Sequence, residues 1–488
     1  MNNQIANLEP QAVWSHFASL LEIPRPSKKE ARIIAYMKAF GENLGLETIV
    51  DGVGNVIIRK PATPGMEDRM GVILQGHLDM VPQKNSDTAH NFETDPIDAY
   101  IDGDWVTARG TTLGADNGMG VAATMAVLAD KTMAHGPIEA LFTIDEETGM
   151  TGAFNLQAGL LQGDILMNLD SEDEGELYVG CAGGLNANMR FSYHTVAVPP
   201  DHTAYKISVT GLKGGHSGMD IVLGRGNAIK VLNRFLYENK DLGLCLAWID
   251  GGGLRNAIPR EAFALVTLPK AQSADLESRL ATFAETACLE LKTTEPDMNI
   301  SMDQAPLPDT HIDQDSFDRM NKAVYACPNG VMRMSADMAG LVETSTNLAI
   351  LKSKDGIIHI QSLLRSSVDT AKEDLAQMMQ SVFDLAGAES VFDGGYPGWK
   401  PNPESPILHH MKEMYAQKYG KTPDIKAIHA GLECGILGAV YPHWDMISFG
   451  PTIRYPHSPD EKVHIASVGK FWDFLVDTLK NIPKKSAV

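Results

Sequence analysis

Cysteine, positive charge and long hydrophobic runs are all scarce in this 488-residue sequence. Its five cysteines are scattered and form no CxxC pair, which excludes a cysteine-based zinc finger and favours a reducing compartment. No apolar run approaches the roughly 18 residues of a membrane span, and the first residues lack the basic start and apolar core of a signal peptide. We therefore expect a cytoplasmic protein with no membrane partner.

Basic residues are outnumbered by acidic ones. The sequence has 41 lysines and arginines against 62 aspartates and glutamates, and its formal net charge is −21. Nucleic acids and anionic membranes bind basic surfaces, so this balance argues against both as partners. The hydrophobic content of 44 % is ordinary for a globular protein, and the length allows roughly two to four domains.

The two ends of the chain have α/β character, and the middle has a different pattern. Near the N-terminus, short apolar strands alternate with helices, which predicts a largely parallel sheet covered on both faces. The predicted strands are two within 47–60 and one each at 71–79, 138–145 and 164–170; the predicted helices are 27–45, with Ser27 as N-cap, and 116–130. After a Pro-rich stretch at 396–406 the α/β pattern returns.

The middle of the chain has longer strands of alternating polarity, with amphipathic helices between them, which is typical of an α+β domain with one-sided sheets. We therefore predict an α/β fold in which residues 1–185 and 399–488 form one domain and residues 186–398 form an inserted α+β domain.

Three predicted strands near the N-terminus finish on acidic residues or histidine. The residues are His77 with Asp79, Asp145 with Glu146 and Glu147, and Asp170. In open α/β sheets, sites form beyond the carboxyl ends of the strands, and charges gathered there need cations to hold them together. Histidine and carboxylate without thiolate suit zinc, manganese or cobalt.

Single residues of this kind also have simpler interpretations. A strand that ends in aspartate often continues into a turn, Asp116 in TTLGADNGMG suits a helix N-cap, and His457 lies among turn residues. Cys434 in GLECGIL is a conceivable nucleophile, but its segment has the pattern of a buried helix. The sequence contains no HExxH, GxSxG, Walker or GxGxxG motif.

Eight segments together resemble the aminoacyl-histidine dipeptidases, also called cytosol non-specific dipeptidases, which are relatives of two-zinc aminopeptidases, carboxypeptidases and desuccinylases. The resemblance extends over nearly the whole chain. Its segments are GHLDMVP (76–82), TTLGADNGMG (111–120), DEETGMTGA (145–153), NLDSEDEGELYVGCAGG (168–184), KGGHSGMDI (213–221), GGLRNAIPREAFA (252–264), HAGLECG (429–435) and GPTIRYPHSPDEKVHI (450–465).

The resemblance implies a site with two divalent ions, in the first place zinc, with cobalt or manganese as alternatives. It implies that Asp116 bridges the ions, that His77 and Asp170 complete one ligand set, and that Glu147 and His457 complete the other. The remaining implied roles are Glu146 as general base, Asp79 as the catalytic acid beside His77, His216 as oxyanion donor, and Asn256, Arg365, His429 and Gly431 as substrate-binding residues.

The same resemblance implies that a metal-bridging hydroxide attacks dipeptides with a free C-terminal carboxylate, including Xaa-His dipeptides. The inserted domain would be a lid that also serves dimerisation, so a homodimer is expected. Two alternatives remain: an amidohydrolase of the same family that acts on N-acyl amino acids, and a non-catalytic metal-binding protein. Asp145 receives no role from either the pattern or the resemblance.

Overall fold

Residues 2–485 are described by a computed structural model of the chain. The chain divides into two compact units. The first unit comprises Met1–Gly180, Pro401–Ala427 and Leu432–Val488, and the second comprises Cys181–Lys400 and Ile428–Gly431. The segment around His429 therefore belongs to the second unit, although it lies far along the chain from the rest of it. No helix among the described residues combines the length and apolar character needed to cross a bilayer.

The first unit is built on an eight-stranded mixed sheet. Its strands, in spatial order, are Glu47–Val50, Val56–Lys60, Ile138–Thr143, Val72–His77, Ile165–Asn168, Asp445–Ser448, Glu176–Cys181 and Asp424–Ile428. The four strands from Ile138–Thr143 to Asp445–Ser448 are parallel, as the sequence predicts for this region, and antiparallel strands flank them. A smaller antiparallel sheet joins Ile453–Arg454, Lys462–His464, Trp105–Ala108 and Ala99–Asp102.

Both faces of the parallel strands are covered, since every residue of Val72–His77, Ile138–Thr143 and Ile165–Asn168 is buried. The helices of this unit are Gln11–Leu21, Ala31–Asn43, Ala115–Ala129, Glu146–Gly149, Thr151–Phe154, Pro406–Tyr419, Glu433–Val440 and Ile465–Lys480, with a 3₁₀ helix at Asn2–Asn7. Cys434 lies fully buried in the helix Glu433–Val440, as its sequence pattern predicts.

The prediction that Ser27 caps the second helix is wrong. That helix begins at Ala31, and its N-cap residue is Glu30. The Ser27 hydroxyl instead donates a hydrogen bond of 2.8 Å to Asp79 Oδ2. A serine ahead of an amphipathic run suits an N-cap, in which its side-chain oxygen accepts a hydrogen bond from a helix N–H group. Here the Ser27 hydroxyl instead donates to a buried carboxylate, and a hydrogen bond to a charged group is the stronger of the two.

The second unit has a nine-stranded antiparallel sheet. Eight strands follow the order Asn299–Ala305, His202–Thr210, Ala262–Pro269, Cys245–Gly251, Val342–Lys354, Ile357–Ser366, Gly183–Ser192 and Glu389–Tyr396, and Gly330–Met334 pairs with Val342–Lys354. Two short ladders pair Thr195–Ala197 with Thr310–Ile312 and Gly215–His216 with Ala257–Ile258.

Four helices pack on one face of this sheet. They are Ala228–Glu238, Ser273–Glu290, Gln314–Ala326 and Asp369–Leu385, with 3₁₀ turns at Ile221–Leu223, Lys240–Leu242 and Lys270–Gln272. Alternate strand residues such as Tyr205, Ile207 and Val209 join one hydrophobic core with all four helices. The one-sided sheet expected from the alternating strands is therefore present.

Candidate metal centre and substrate-binding residues

The five side chains predicted as metal ligands lie in two groups that share Asp116. His77 Nε2 lies 3.1 Å from Asp116 Oδ1 and 3.4 Å from Asp170 Oδ1. His457 Nε2 lies 3.2 Å from Asp116 Oδ2 and 2.9 Å from Glu147 Oε2. The two oxygens of Asp116 thus face different groups, which is the arrangement of a carboxylate able to bridge two ions.

The parallel strands account for most of this convergence. His77 is the last residue of its strand, Asp170 follows Ile165–Asn168, and Glu147 follows Ile138–Thr143. These three strands are parallel neighbours, so their carboxyl ends meet at one edge of the sheet. Asp116 and His457 reach the same edge from the start of a helix and from a loop.

The residues fit a pair of divalent cations. Two ligand atoms that each lie about 2.0–2.1 Å from a tetrahedral zinc ion are about 3.3 Å apart, and the four nitrogen–oxygen distances in the two groups run from 2.9 to 3.4 Å. Glu147 Oε1 is buried and accepts no hydrogen bond from any residue within 2–485. Asp170 Oδ1 is likewise buried without a hydrogen-bond partner among residues 2–485. A set of imidazoles and carboxylates with such oxygens suits zinc and its neighbours in the transition series.

The electrostatics of the cluster also favour cations. Burial raises the pKa of Asp170 to about 7, and hydrogen bonds to Asp116 and Glu147 raise the pKa of His457 to about 11. Burial alone lowers the pKa of His77, but the carboxylates of Asp170 and Asp116 outweigh it and raise that pKa well above its usual value. Burial therefore opposes ionisation of Asp170, and divalent cations would favour its ionised form.

Asp79 links His77 to the turn that carries the two glutamates. Its Oδ1 lies 3.4 Å from His77 Nδ1 and accepts a hydrogen bond of 3.0 Å from the N–H of Glu146. Its Oδ2 accepts from the N–H of Glu147 at 3.3 Å and from Ser27. Burial opposes ionisation of Asp79, but its contacts with His77 prevail and lower its pKa to about 2. Asp79 is thus a fixed anion beside the predicted base.

Asp145 has a structural task that the sequence did not reveal. It lies in the left-handed region, at φ 52°, at the start of the turn that continues into Glu146–Gly149. Its carboxylate oxygens accept hydrogen bonds from the hydroxyls of Thr148 and Thr151, and its N–H donates to Glu30 Oε1 at 3.1 Å. The first of the three adjacent acids therefore holds the turn that presents the other two.

The remaining predicted residues lie together in the second unit. His216 Nδ1 accepts hydrogen bonds from the N–H groups of Gly218 at 3.3 Å and Met219 at 3.1 Å. Because Nδ1 is an acceptor, the proton of the neutral ring is on Nε2. Burial, and then the charge of Arg365, lower the pKa of His216. His216 is therefore a neutral ring whose Nε2–H donates to no residue within the described range 2–485.

Arg365 and His429 are neighbours of His216. Arg365 is buried, and its Nη1 donates to the Tyr396 hydroxyl at 3.3 Å and its Nε to the Ser217 hydroxyl at 3.4 Å. No carboxylate within residues 2–485 forms an ion pair with it. His429 Nε2 lies 2.7 Å from Ser345 Oγ, and burial, followed by the charge of Arg365, lowers the pKa of His429 to about 3.

Asn256 and Gly431 complete the predicted set. The side chain of Asn256 is exposed, and its carbonyl accepts a hydrogen bond of 2.8 Å from the Ser217 N–H. Gly431 lies against the Tyr396 ring, and a Cβ atom there would stand only 3.0 Å from the ring. The structure thus places Asn256 beside the His216 turn and Gly431 beside the tyrosine that contacts Arg365.

Sequence reasoning missed two polar groups of interest. Tyr396 is the last residue of the strand Glu389–Tyr396, and no sequence motif marks it. Glu433, within the HAGLECG segment, is fully buried and accepts hydrogen bonds of 2.6 Å from both Gln75 Nε2 and Thr143 Oγ1. Burial raises the pKa of Glu433 to about 7. The sequence signal that could have identified Glu433 is an acidic residue within an otherwise apolar helix pattern.

Comparison with known proteins identifies relatives over the full length. The sequence profile described as peptidase family M20/M25/M40 matches residues 73–481. The chain is 47 % identical over 484 residues to the cytosol non-specific dipeptidase of Escherichia coli (strain K12), covering 99 % of this chain and 100 % of that protein. It is similar, with a TM-score of 0.95 and 49 % identity over 99 % of both chains, to the crystal structure of aminoacylhistidine dipeptidase from Vibrio alginolyticus. A tripeptidase from Staphylococcus aureus shares the fold, with a TM-score of 0.61 and 16 % identity over 97 % of this chain and 99 % of that one.

Proposed function

Since the chain belongs to peptidase family M20/M25/M40, we propose that it is a cytosolic metallo-dipeptidase that cleaves dipeptides with a free C-terminal carboxylate, including Xaa-His dipeptides. The observation that carries the proposal is the pair of histidine–carboxylate groups that share Asp116. The names of the dipeptidases to which the chain is 47 % and 49 % identical support the substrate class and the compartment.

His77, Asp116 and Asp170 would hold one divalent ion, and Asp116, Glu147 and His457 the other, with zinc as the favoured metal. Ions at these positions would polarise the scissile carbonyl and lower the pKa of the attacking water. Asp79 accepts hydrogen bonds from the backbone N–H groups of both Glu146 and Glu147, so it fixes the backbone that carries these two side chains.

Glu146 is the proposed general base. Burial raises its pKa well above the usual value for a glutamate, which suits a group that must take a proton from water and then give it to the leaving amine. Its neighbour Glu147 has its carboxylate 2.9 Å from His457, so the two adjacent side chains have separate tasks.

The second unit is proposed to act as the lid, with His216 as oxyanion donor and Arg365 as carboxylate site. A neutral imidazole whose proton is on Nε2 can donate to a developing oxyanion without giving up a charge. Arg365 is a buried cation without a carboxylate partner among residues 2–485, and its fork geometry matches a terminal carboxylate. We further propose that Asn256, His429 and Gly431 line this site and that the chain forms a homodimer, which light scattering would measure.

A substrate screen on the purified protein tests the proposal. Rapid cleavage of Xaa-His dipeptides that depends on added zinc or cobalt, with N-acyl amino acids untouched, is the expected result. Preferential hydrolysis of N-acyl amino acids would replace it with the amidohydrolase alternative. Metal binding without hydrolysis of either class would point to a non-catalytic protein.

A further inference from the structure

The turn that carries Asp116 is held by an uncommon set of hydrogen bonds to a single buried side chain. Glu461 is 2 % exposed. Its Oε2 accepts from the N–H groups of Leu113 at 2.8 Å and Gly114 at 3.0 Å. Its Oε1 accepts from those of Ala115 at 2.7 Å and Asp116 at 3.2 Å. Four successive amides of the turn therefore point at one carboxylate.

An arginine holds the opposite side of the same turn. Arg25 is 3 % exposed, and its Nη2 donates to the Gly114 carbonyl at 2.5 Å. Its Nη1 donates to the carbonyls of Leu78 and Asp79, both at 2.9 Å. The turn thus lies between a buried carboxyl group on its N–H side and a buried guanidinium on its carbonyl side, and the guanidinium also ties it to the strand end after His77.

The glycines of the turn make this arrangement possible. A Cβ atom on Gly114 or on Gly118 would stand 2.7 Å from Arg25 Nη2, closer than a carbon can approach. Gly114 also has φ 73°, in the left-handed region that favours glycine. The guanidinium packed against the turn therefore accounts for Gly114 and Gly118 of TTLGADNGMG.

Glu461 connects two loops that each carry a proposed metal ligand. It lies four positions after His457, which is in the left-handed region at φ 60°. The Glu461 backbone is itself fixed, because its carbonyl accepts a hydrogen bond of 2.8 Å from Thr107 Oγ1 and its N–H donates to the Ser458 carbonyl at 2.9 Å. The side chain thus joins the His457 loop to the Asp116 turn.

We propose that Glu461 and Arg25 are positioning residues that hold Asp116 between His77 and His457, so that its two oxygens face two ions before either ion binds. The inference rests on the proposed function for the metal pair, and it is independent of the substrate. Neither side chain contacts a proposed ligand side chain through a hydrogen bond; both act on the backbone that carries the ligands.

The test compares Glu461→Gln with a matched control, Glu139→Gln. Glu139 is also a buried carboxylate of the first unit, accepts from the N–H groups of Gln162 and Gly163 and from Arg59, and lies near the opposite end of a central strand. An amide at either position loses one acceptor oxygen and presents an NH₂ group to buried donors, so both variants are expected to be less stable. Only Glu461→Gln is expected to bind Co²⁺ more weakly.

Affinity is measured by chelator competition on the cobalt-loaded protein and followed by the visible absorption of Co²⁺. We expect a loss of 10- to 100-fold in Glu461→Gln, as is usual for groups that orient metal ligands, and a change below about twofold in Glu139→Gln. Equal Co²⁺ affinity in the two variants would overturn the inference. A wild-type protein that binds no Co²⁺ would instead overturn the proposed function.

Two further measurements decide the matter if Glu461→Gln does not fold. Arg25→Lys keeps the charge but cannot reach three carbonyls, and the same 10- to 100-fold loss is expected for it. In the metal-free wild-type protein, hydrogen exchange at the amides of residues 113–116 is expected to be slow, because Glu461 accepts from them without any metal. Rapid exchange there would show that the turn is ordered by the ions and not by Glu461.

Discussion

Replacing Arg365 by glutamine tests how the proposed dipeptidase recognises its substrate's end. Glutamine retains much of the length and hydrogen-bonding capacity of the side chain but removes the charge. Among residues 2–485, Arg365 donates two long hydrogen bonds, of 3.3 Å to Tyr396 and 3.4 Å to Ser217. A guanidinium has five N–H donors, so three remain for a substrate carboxylate.

The expected loss of kcat/KM follows from the three N–H donors that remain for the substrate. A fork of two hydrogen bonds to a charged carboxylate contributes at least about 1.5 kcal/mol per bond, or about 3 kcal/mol in total. A loss of that size lowers kcat/KM roughly a hundredfold. For a dipeptide whose C-terminus is an amide, the fork cannot form in the wild-type enzyme, so the same substitution should change kcat/KM by less than about threefold.

The assay is kcat/KM for one dipeptide and for its C-terminal amide, in the wild-type enzyme, in Arg365→Gln and in a control, Arg319→Gln. Arg319 also belongs to the second unit but forms an ion pair of 2.9 Å with Asp315, so its loss should leave both substrates unaffected. Equal losses on dipeptide and amide in Arg365→Gln would refute the assignment of Arg365 to the carboxylate.

Three further predictions follow from the site geometry. Glu146→Gln should abolish turnover while the protein still binds two divalent ions per chain by elemental analysis, because each of the two groups that share Asp116 keeps its three proposed ligands; undiminished hydrolysis would exclude Glu146 as the base. Asp145→Ala removes the acceptor of two threonine hydroxyls in the turn, so kcat should fall roughly tenfold to a hundredfold in stopped-time assays, and an unchanged kcat would contradict its positioning task. His429 has a pKa of about 3 in the folded protein, so the unfolded chain binds its proton first as the pH falls below about 6.5. The free energy of unfolding, measured by urea titration, should therefore fall more steeply for the wild type than for His429→Gln between pH 6.5 and 4. The expected difference in slope is about 1.4 kcal/mol per pH unit, and equal slopes in the two proteins would count against a neutral His429.

Sequence periodicity predicted the part of the site that depends on strand ends. His77 ends a buried strand, and Glu147 and Asp170 each follow one; parallel strands bring such positions to one edge whatever their order in the sheet. Asp116 and His457 needed the family resemblance, because a helix start and a loop have no periodic signal. The α/β character was predictable from the same strand and helix periodicity. The antiparallel strands that flank the sheet were not predicted.

The roles of residues that act through backbone hydrogen bonds could not be predicted from the sequence. Glu461 and Arg25 bond to amides and carbonyls, which every residue carries, so nothing in the residue types of the partner turn points to them. Asp145 was unexplained for a similar reason, since its partners are two threonines whose spacing matters only once the turn is formed. Ser27 shows the reverse case: a local signal was present, and a buried carboxylate overrode it.

The central claim is that Asp116 bridges two ions at the edge of the parallel sheet. Anomalous diffraction from crystals of the zinc-loaded protein, recorded at the zinc edge, tests it directly. The account predicts two peaks per chain, one contacted by His77 and Asp170, the other by Glu147 and His457, with one oxygen of Asp116 on each. A single peak, or two peaks that do not share Asp116, would contradict it.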